Sequence, residues 1–292
     1  MSGSSARIAA APKPSSLTLP APGKLNLFLH VTGRRQDGYH TLESVFVPIG
    51  YGDTVSLRLR EDSAVVRTSA CALIPEDTDL AVRAARLLQE RLGVSRGVSL
   101  EVSKRLPIGG GLGGGSSDAA TVLLGLNVLW DLRLTRPELM KLGLELGADV
   151  PFFVYGQAAF ARGIGEDLVA VSVPPLWSLV VAPPVNVPTA VVFAAPELTR
   201  NSVSAKILVF PEGCGRNDLQ ATATARFPEI AHYLSMLGRE GEARMTGSGA
   251  CIFASYPNQQ QALRARASLP LGVAAFVARA LGRHPLWTLA TP

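Results

Sequence analysis

Six of the nine residues from Pro107 to Gly115 are glycine, and the run continues as Ser116-Ser117-Asp118-Ala119-Ala120 into an apolar segment, Thr121 to Trp130. Each glycine ordered in regular structure costs roughly 0.5–1 kcal/mol relative to alanine, so concentrating them here implies a use for bare, closely approachable peptide groups. Ser116, Ser117 and Asp118 are residue types that cap helix N-termini. A glycine loop entering a helix brings free N–H groups and the positive end of the helix dipole to one point, which suits a phosphate. Gly109 to Gly114 satisfies G-x-G-x-x-G, and Asp131 lies at a suitable distance for a dinucleotide fold. Yet nothing between Ala119 and Trp130 could end a helix and start the second strand that fold needs. A Walker loop is excluded because Ser116 stands where its lysine belongs. Leu112 and the apolar flanks are not linker composition. The positive charge a polyphosphate requires must come from elsewhere.

Of the 28 cations only Lys13, Lys24, Lys104, Lys141 and Lys206 are lysine, so in this arginine-rich chain each ammonium group carries information. Lys104 and Arg105 stand just before the glycine loop, although a solvated strand end would read the same way. Lys24 follows the turn-like Pro20-Ala21-Pro22-Gly23. Alternation in Lys24 to Val31 puts Leu25, Leu27 and Leu29 on one face, and Lys24, Asn26, Phe28 and His30 on the other. A strand-start lysine reaching to solvent fits the same pattern. Asp149 lies in Gly147-Ala148-Asp149-Val150-Pro151-Phe152-Phe153-Val154, between a helix end and what reads as an apolar strand. An unpaired carboxylate is costly there, so either a cationic partner or helix terminus compensates it, or it stabilises a turn. Tyr39 and His40 follow an Asp37-Gly38 turn; such a pair can stack on and hydrogen-bond a base, or simply pack in a strand.

The elements that must position these groups follow from periodicity and caps. Leu80 to Leu92 is a helix closed by Gly93, and Val98 to Val102 is a strand leading to the glycine loop. Thr135-Arg136-Pro137-Glu138 is a capping box opening a helix that stops at Gly147. Ala158 to Val173 and Trp177 to Ala182 read as strands. Asn217 opens a helix, and Glu229 to Gly238 forms another. A second small-residue loop, Thr246 to Gly249, precedes a strand; Gln259 to Ala267 is helical and Ala274 to Ala278 is a closing strand. The class is α+β. Residues 1–19, rich in Ser, Ala and Pro, read as a disordered leader, followed by domains over 20–162 and 163–292.

With 292 residues, 47% of them hydrophobic, the chain can bury two cores. It lacks an apolar run long enough for a membrane span. Cys71, Cys214 and Cys251 are odd in number and far apart, which argues for a reducing cytoplasm rather than a disulfide frame or zinc site. The four histidines show no metal-ligand spacing. A net charge of +5 suits polyanionic ligands, but without a basic cluster a nucleic-acid-binding module is the weaker reading.

On Pro22 to Lys24 with its strand, Pro107 to Ala120, and Thr246 to Gly249, the chain resembles the GHMP small-molecule kinases. Arg35-Gln36-Asp37-Gly38-Tyr39-His40 and Leu146-Gly147-Ala148-Asp149-Val150-Pro151 are similar to the members that act on a cytidine-diphosphate-linked methylerythritol. The likeness runs from about Pro20 to the C-terminal region. It implies a two-domain fold, ribosomal protein S5 domain 2-like then ferredoxin-like, with the active site in the cleft between them. The implied reaction is transfer of the γ-phosphoryl of ATP, with Mg²⁺, to the 2-hydroxyl of that substrate. The resemblance makes Asp149 the catalytic base and Lys24 its partner. ATP would meet Lys104, Pro107, Ile108, Gly109, Gly110, Gly111, Leu112, Gly113, Gly114, Gly115, Ser116 and Ser117. The substrate would meet Asn26, Tyr39, Ile164, Phe193 and His40, with His40 reading the cytosine edge and Phe193 stacking on it. Asp118 stands where Asn or Ser is common, which bears on how Mg²⁺ is handled. Neither nucleic acid nor membrane is an expected partner, and a monomer or weak homodimer is expected. A kinase for mevalonate, homoserine or a sugar, or a nucleotide-binding protein without catalysis, are the competing readings.

Overall fold

The computed structural model describes residues 14–69, 74–204, 215–239 and 241–291. Residues 1–13, Cys71 and Cys214 lie outside them. Two long antiparallel strands, β1 (Ser16–Arg34) and β2 (His40–Leu59), pair from Ser16 against Arg58 to Arg34 against His40. Ser16 to Leu19, placed in the leader by composition, are thus strand. Among the described residues β1 pairs within its sheet with β2 alone, and an edge strand tolerates the missing N–H groups of Pro20 and Pro22. The turn expected from Pro20 to Gly23 is therefore extended chain.

The sheet is completed by β3 (Val65–Arg67), β4 (Val98–Ser103), β5 (Ala159–Arg162) and β6 (Asp167–Ala170), in the order β3-β4-β2-β5-β6. The β5–β6 hairpin carries this sheet past the boundary read between residues 162 and 163. Four helices cover it: α1 (Leu80–Leu92), α2 (Gly114–Leu129), α3 (Arg136–Leu146) and α4 (Val150–Tyr155). Asp79 caps α1 by accepting from Ala81 N, and Gly93 ends it at φ +63°. Thr135 and Glu138 form the expected box on α3. Almost all of α2 is buried, where it packs on β1 and β2. The run after Asp149 is helix α4, not strand. Val150 to Val154 are all buried, so no polar/apolar period distinguishes the two; Pro151 in the first turn and Gly156 at φ +74° favour a short helix.

In the second half β7 (Trp177–Val181), β8 (Ala243–Met245), β9 (Ile252–Tyr256) and β10 (Ala275–Arg279) form an antiparallel sheet in the order β10-β7-β9-β8. After the short helix α5 (Thr189–Ala194), α6 (Asp218–Arg226) and α7 (Pro228–Leu237) connect β7 to β8, and α8 (Gln259–Ala267) connects β9 to β10. This β-α-β-β-α-β arrangement is ferredoxin-like, as expected. No described helix is long and apolar enough to cross a membrane.

Each half has its own core, and a third apolar cluster joins them: Leu25, Leu27 and Phe28 of β1 meet Val180, Cys251 and Phe253, with Leu106 and Leu112 from the glycine-loop segment. Phe28 was expected beside Lys24 on the other face, whereas Leu29 lies in the C-terminal core. A bulge explains both: Asn26 faces Phe46 and Leu29 faces Ser44, so three steps of β1 match two of β2 and alternation breaks.

Candidate active site

Leu112, buried in the joining cluster, pins the glycine loop, and the glycines on either side take conformations that side chains resist. Gly109, Gly111 and Gly113 stand at φ +69°, +76° and +71°. A Cβ on Gly111 would lie 2.2 Å from the carbonyl oxygen of Thr246, and one on Gly113 would lie 2.9 Å from the Phe153 ring and 3.3 Å from Lys24 Cε. Glycine is thus required by the close approach of the second loop and of Lys24. Helix α2 starts from Gly113 with no side chain capping it, leaving its first-turn N–H groups for a ligand. Ser117 is fully buried and is engaged within the protein. Its hydroxyl donates to Pro22 O at 2.7 Å and its N–H to Gly113 O at 2.8 Å, so it ties the loop to β1.

Two cavities flank the loop. One, of about 330 Å³, is lined by Lys104, by Pro107 through Ser116, and by Asp118. The other, of about 800 Å³, is lined by Lys24, Asn26, Tyr39, His40, Asp149, Ile164 and Phe193 among others. Gly109, Gly111, Gly113 and Ser116 belong to both, so the glycine loop is the partition between them.

At that partition Lys24 Nζ stands 3.4 Å from Asp149 Oδ2 and donates to Asn26 Oδ1 at 2.6 Å. Lys24 is 3% exposed, with its ammonium 5.0 Å from the Phe46 ring centroid, and its backbone N–H donates to Leu112 O at 2.9 Å. The Asp149 side chain, at the start of α4, is 33% exposed and opens on the larger cavity. It is therefore paired and wet, not sealed among apolar neighbours. Asn26 is committed within the protein: its Nδ2 donates to Ser44 Oγ at 2.9 Å, and its backbone N–H donates to Thr246 Oγ1 at 3.0 Å. Its clearest task is to hold Lys24, while also forming cavity wall.

The smaller cavity has its own charge relay. Lys104 Nζ bridges Asp53 and Asp118, with 2.7 Å to Asp118 Oδ2. Asp53 is fixed in turn by the backbone N–H groups of Arg105 and Leu106, at 2.5 and 2.7 Å. Burial opposes the charge on Lys104, but Asp118 and Asp53 outweigh it and raise its pKa. Burial pushes Asp118 up to about 7, Lys104 opposing and Asp53 adding to the rise.

Tyr39, 61% exposed, and Phe193 on α5 both line the larger cavity near His40, whose ring lies 5.1 Å from that of Phe193 at 31°. Burial, then Arg200 and Arg34, lower the His40 pKa, which favours a neutral ring. Sequence reasoning missed Arg200, one of many arginines, and Asp53, whose partners are some fifty residues away. It marked Thr246 as part of a small-residue loop that carries the family resemblance, without a role of its own.

Two family models match the chain, "GHMP kinases N terminal domain" over residues 79–157 and "GHMP kinases C terminal" over residues 210–273. A protein of Thiobacillus denitrificans named 4-diphosphocytidyl-2-C-methyl-D-erythritol kinase is 56% identical over 272 residues, covering 93% of this chain and 98% of the relative. The chain belongs to the 4-diphosphocytidyl-2-C-methyl-D-erythritol kinase family. A member of that family from Herminiimonas arsenicoxydans is 53% identical, over 93% of this chain and 97% of its own. A crystal structure titled 4-(cytidine 5'-diphospho)-2C-methyl-D-erythritol kinase aligns with a TM-score of 0.77 at 34% identity, covering 91% of this chain and all of the other. The homoserine kinase of Cytophaga hutchinsonii aligns at 0.70 with 16% identity over 95% of this chain and 98% of its own, which speaks to the fold alone. The architecture of this 4-diphosphocytidyl-2-C-methyl-D-erythritol kinase family member is thus the two-domain α+β GHMP fold, and the chain is a small-molecule kinase.

Proposed function

We propose that this kinase transfers the γ-phosphoryl group of ATP to the 2-hydroxyl of 4-diphosphocytidyl-2-C-methyl-D-erythritol, in the cytoplasm, as a step of non-mevalonate isoprenoid precursor synthesis. The names of the relatives support the substrate. The observation that carries the chemistry is the Lys24–Asp149 pair, 3.4 Å apart on the larger cavity, beside glycines that also wall the smaller one.

ATP in the smaller cavity would present its phosphates to the loop N–H groups and the α2 terminus, and the alcohol would lie in the larger cavity. As the 2-hydroxyl oxygen bonds to the γ-phosphorus, the bond from phosphorus to the β,γ-bridging oxygen breaks and ADP keeps that electron pair. The hydroxyl proton passes to Asp149. Because the transition state is loose, alignment and charge stabilisation matter more than a strong nucleophile. Lys24, itself aimed by Asn26, orients Asp149 and places positive charge beside the transferring group; fixed peptide dipoles add to it without reorganising.

A divalent cation fits the smaller cavity: on its wall Asp118 Oδ1 is a buried oxygen with no hydrogen-bond partner among the described residues, and Ser116 stands at the partition. Asp118 and Ser116 would hold Mg²⁺, with phosphate and water completing its shell. When bound, the ion supplies neutralisation of phosphate charge. In the larger cavity Tyr39 and Phe193 are placed to stack on a cytosine, His40 to meet its edge, and Ile164 to wall the same space.

The test is a panel of alcohols (the cytidyl substrate, mevalonate, homoserine and galactose) given to the purified protein with Mg²⁺ and ATP, with products followed by ³¹P NMR. A new phosphomonoester on the cytidyl alcohol, with loss of the 2-hydroxyl, is expected; turnover of one of the others in its place would overturn the assignment.

A further inference from the structure

Arg200, in the irregular segment after α5, spends its guanidinium on the base end of the larger cavity. Its Nε donates to His40 Nε2 at 3.0 Å, Nη2 donates to Phe193 O at 3.0 Å and Ala195 O at 2.6 Å, and Nη1 donates to Leu198 O at 3.1 Å. One side chain therefore ties both ring-bearing walls of the pocket together.

We propose that Arg200 is a positioning residue for base selection: by donating to His40 Nε2 it holds the single ring proton on Nδ1 and makes His40 a fixed donor to the base. The inference rests on the cytidyl-substrate reading above. A guanidinium has five N–H donors, no acceptor and no accessible deprotonation, so the ring atom it faces must be the acceptor. A neutral imidazole carries one donor and one acceptor, so the proton is on Nδ1. That nitrogen has no hydrogen-bond partner among the described residues, and the ring lines the cavity against Phe193. Burial with Arg200 and Arg34 nearby favours the neutral ring that this requires.

The consequence is a choice between pyrimidines. Cytosine offers N3 as an acceptor, which a fixed Nδ1–H can satisfy. Uracil carries hydrogen on N3 and would set donor against donor. Were the tautomer free to switch, Nδ1 could accept from uracil instead and the selection would relax.

Two substitutions separate this role from simple stapling of the loop. Arg200→Lys and Arg200→Gln both lose the fork that holds the carbonyls of Phe193, Ala195 and Leu198. Lysine remains a donor only, whereas the glutamine amide can donate or accept and so tolerates either tautomer. The preference in kcat/KM for the cytidyl substrate over its uridyl analogue should stay within about threefold of wild type in Arg200→Lys and fall about tenfold or more in Arg200→Gln, the scale of one hydrogen bond. The loss should appear in KM, with kcat on saturating cytidyl substrate little changed. Long-range ¹H–¹⁵N spectra of the free protein should show His40 as the Nδ1–H tautomer in wild type and Arg200→Lys, and as a mixture in Arg200→Gln. An Nε2–H tautomer in wild type, or equal loss of preference in both variants, would overturn the proposal. If wild type phosphorylates neither nucleotide-linked alcohol, the substrate reading fails, while the spectra of the free protein still decide what Arg200 does to His40.

Discussion

Replacing Gly111 with alanine should separate the two loops that frame the site. The residue sits at φ +76°, and left-handed backbone costs an L side chain about 1–2 kcal/mol. The new Cβ would lie 2.2 Å from Thr246 O and 3.1 Å from Gly249 O, against about 3.4 Å for an ordinary contact, so the backbones must part by about 1 Å. Neither neighbour is a flexible side-chain end. Thr246 is fixed by its N–H to Cys251 O at 3.0 Å and by its hydroxyl, which accepts from Asn26 N at 3.0 Å. Overpacking of this kind costs about 1–3 kcal/mol, which with the backbone term gives a loss of about 2–5 kcal/mol. Thr246 touches Asn26 and Asn26 aims Lys24, so the same displacement should lower kcat/KM by about 10²-fold, the usual effect of a shift of about 1 Å. Gly115→Ala is the internal control. It lies inside α2 where, among the described residues, Leu80 Cδ1 at 3.6 Å is the one atom near its added Cβ, and it should gain about 0.5–1 kcal/mol in stability. Urea unfolding and steady-state kinetics on the variants test both signs. A Gly111→Ala protein with wild-type midpoint and kcat/KM would refute the argument that this contact needs glycine.

Lys24→Ala should keep the native circular dichroism spectrum and lower kcat by about 10²–10⁴, as for other positioned acid–base groups; a change confined to KM would show that Lys24 only binds. His40→Ala should mainly raise the substrate KM and blunt discrimination between cytidyl and uridyl analogues, and an unchanged preference would move the base pocket elsewhere. His284, in the segment that folds back against the N-terminal core, accepts from Leu286 N at 3.0 Å; burial, with Arg136 nearby, lowers its pKa to about 4. The unfolded chain binds the extra proton between pH 6.5 and 4, so this group's stabilisation is complete above 6.5 and is lost as pH falls. The loss is on the order of 3 kcal/mol. Denaturant melts at pH 7 and pH 4.5 should show a shallower acid limb for His284→Asn than for wild type.

The parts of this site that could be read from sequence are those whose cause is local. The glycine loop, the helix after it, the box at Thr135 and the stop at Gly93 each depend on residues within a turn or two of one another. The missed features depend on distant segments. Val150 to Val154 reads as strand because burial on all sides removes the period, and only Pro151 and Gly156 hint at α4. The bulge between Asn26 and Leu29 is set by pairing with β2, which moved Phe28 and Leu29 from their expected faces. The bond from the Ser117 hydroxyl to Pro22 O spans 95 residues and has no local signature. Arg200 is indistinguishable from other arginines until the chain brings it back to His40, 160 residues earlier. Lys24 and Asp149, whose roles came from a family likeness, also meet only through the fold, 3.4 Å apart.

That meeting is the centre of the account, and one rate tests it. Single-turnover phosphoryl transfer by Asp149→Asn, with ATP and the cytidyl alcohol both saturating, should be slower than wild type by about 10²–10⁴, while the dissociation constants of both ligands stay near wild type. A rate close to wild type would contradict the assignment of the carboxylate as the proton acceptor.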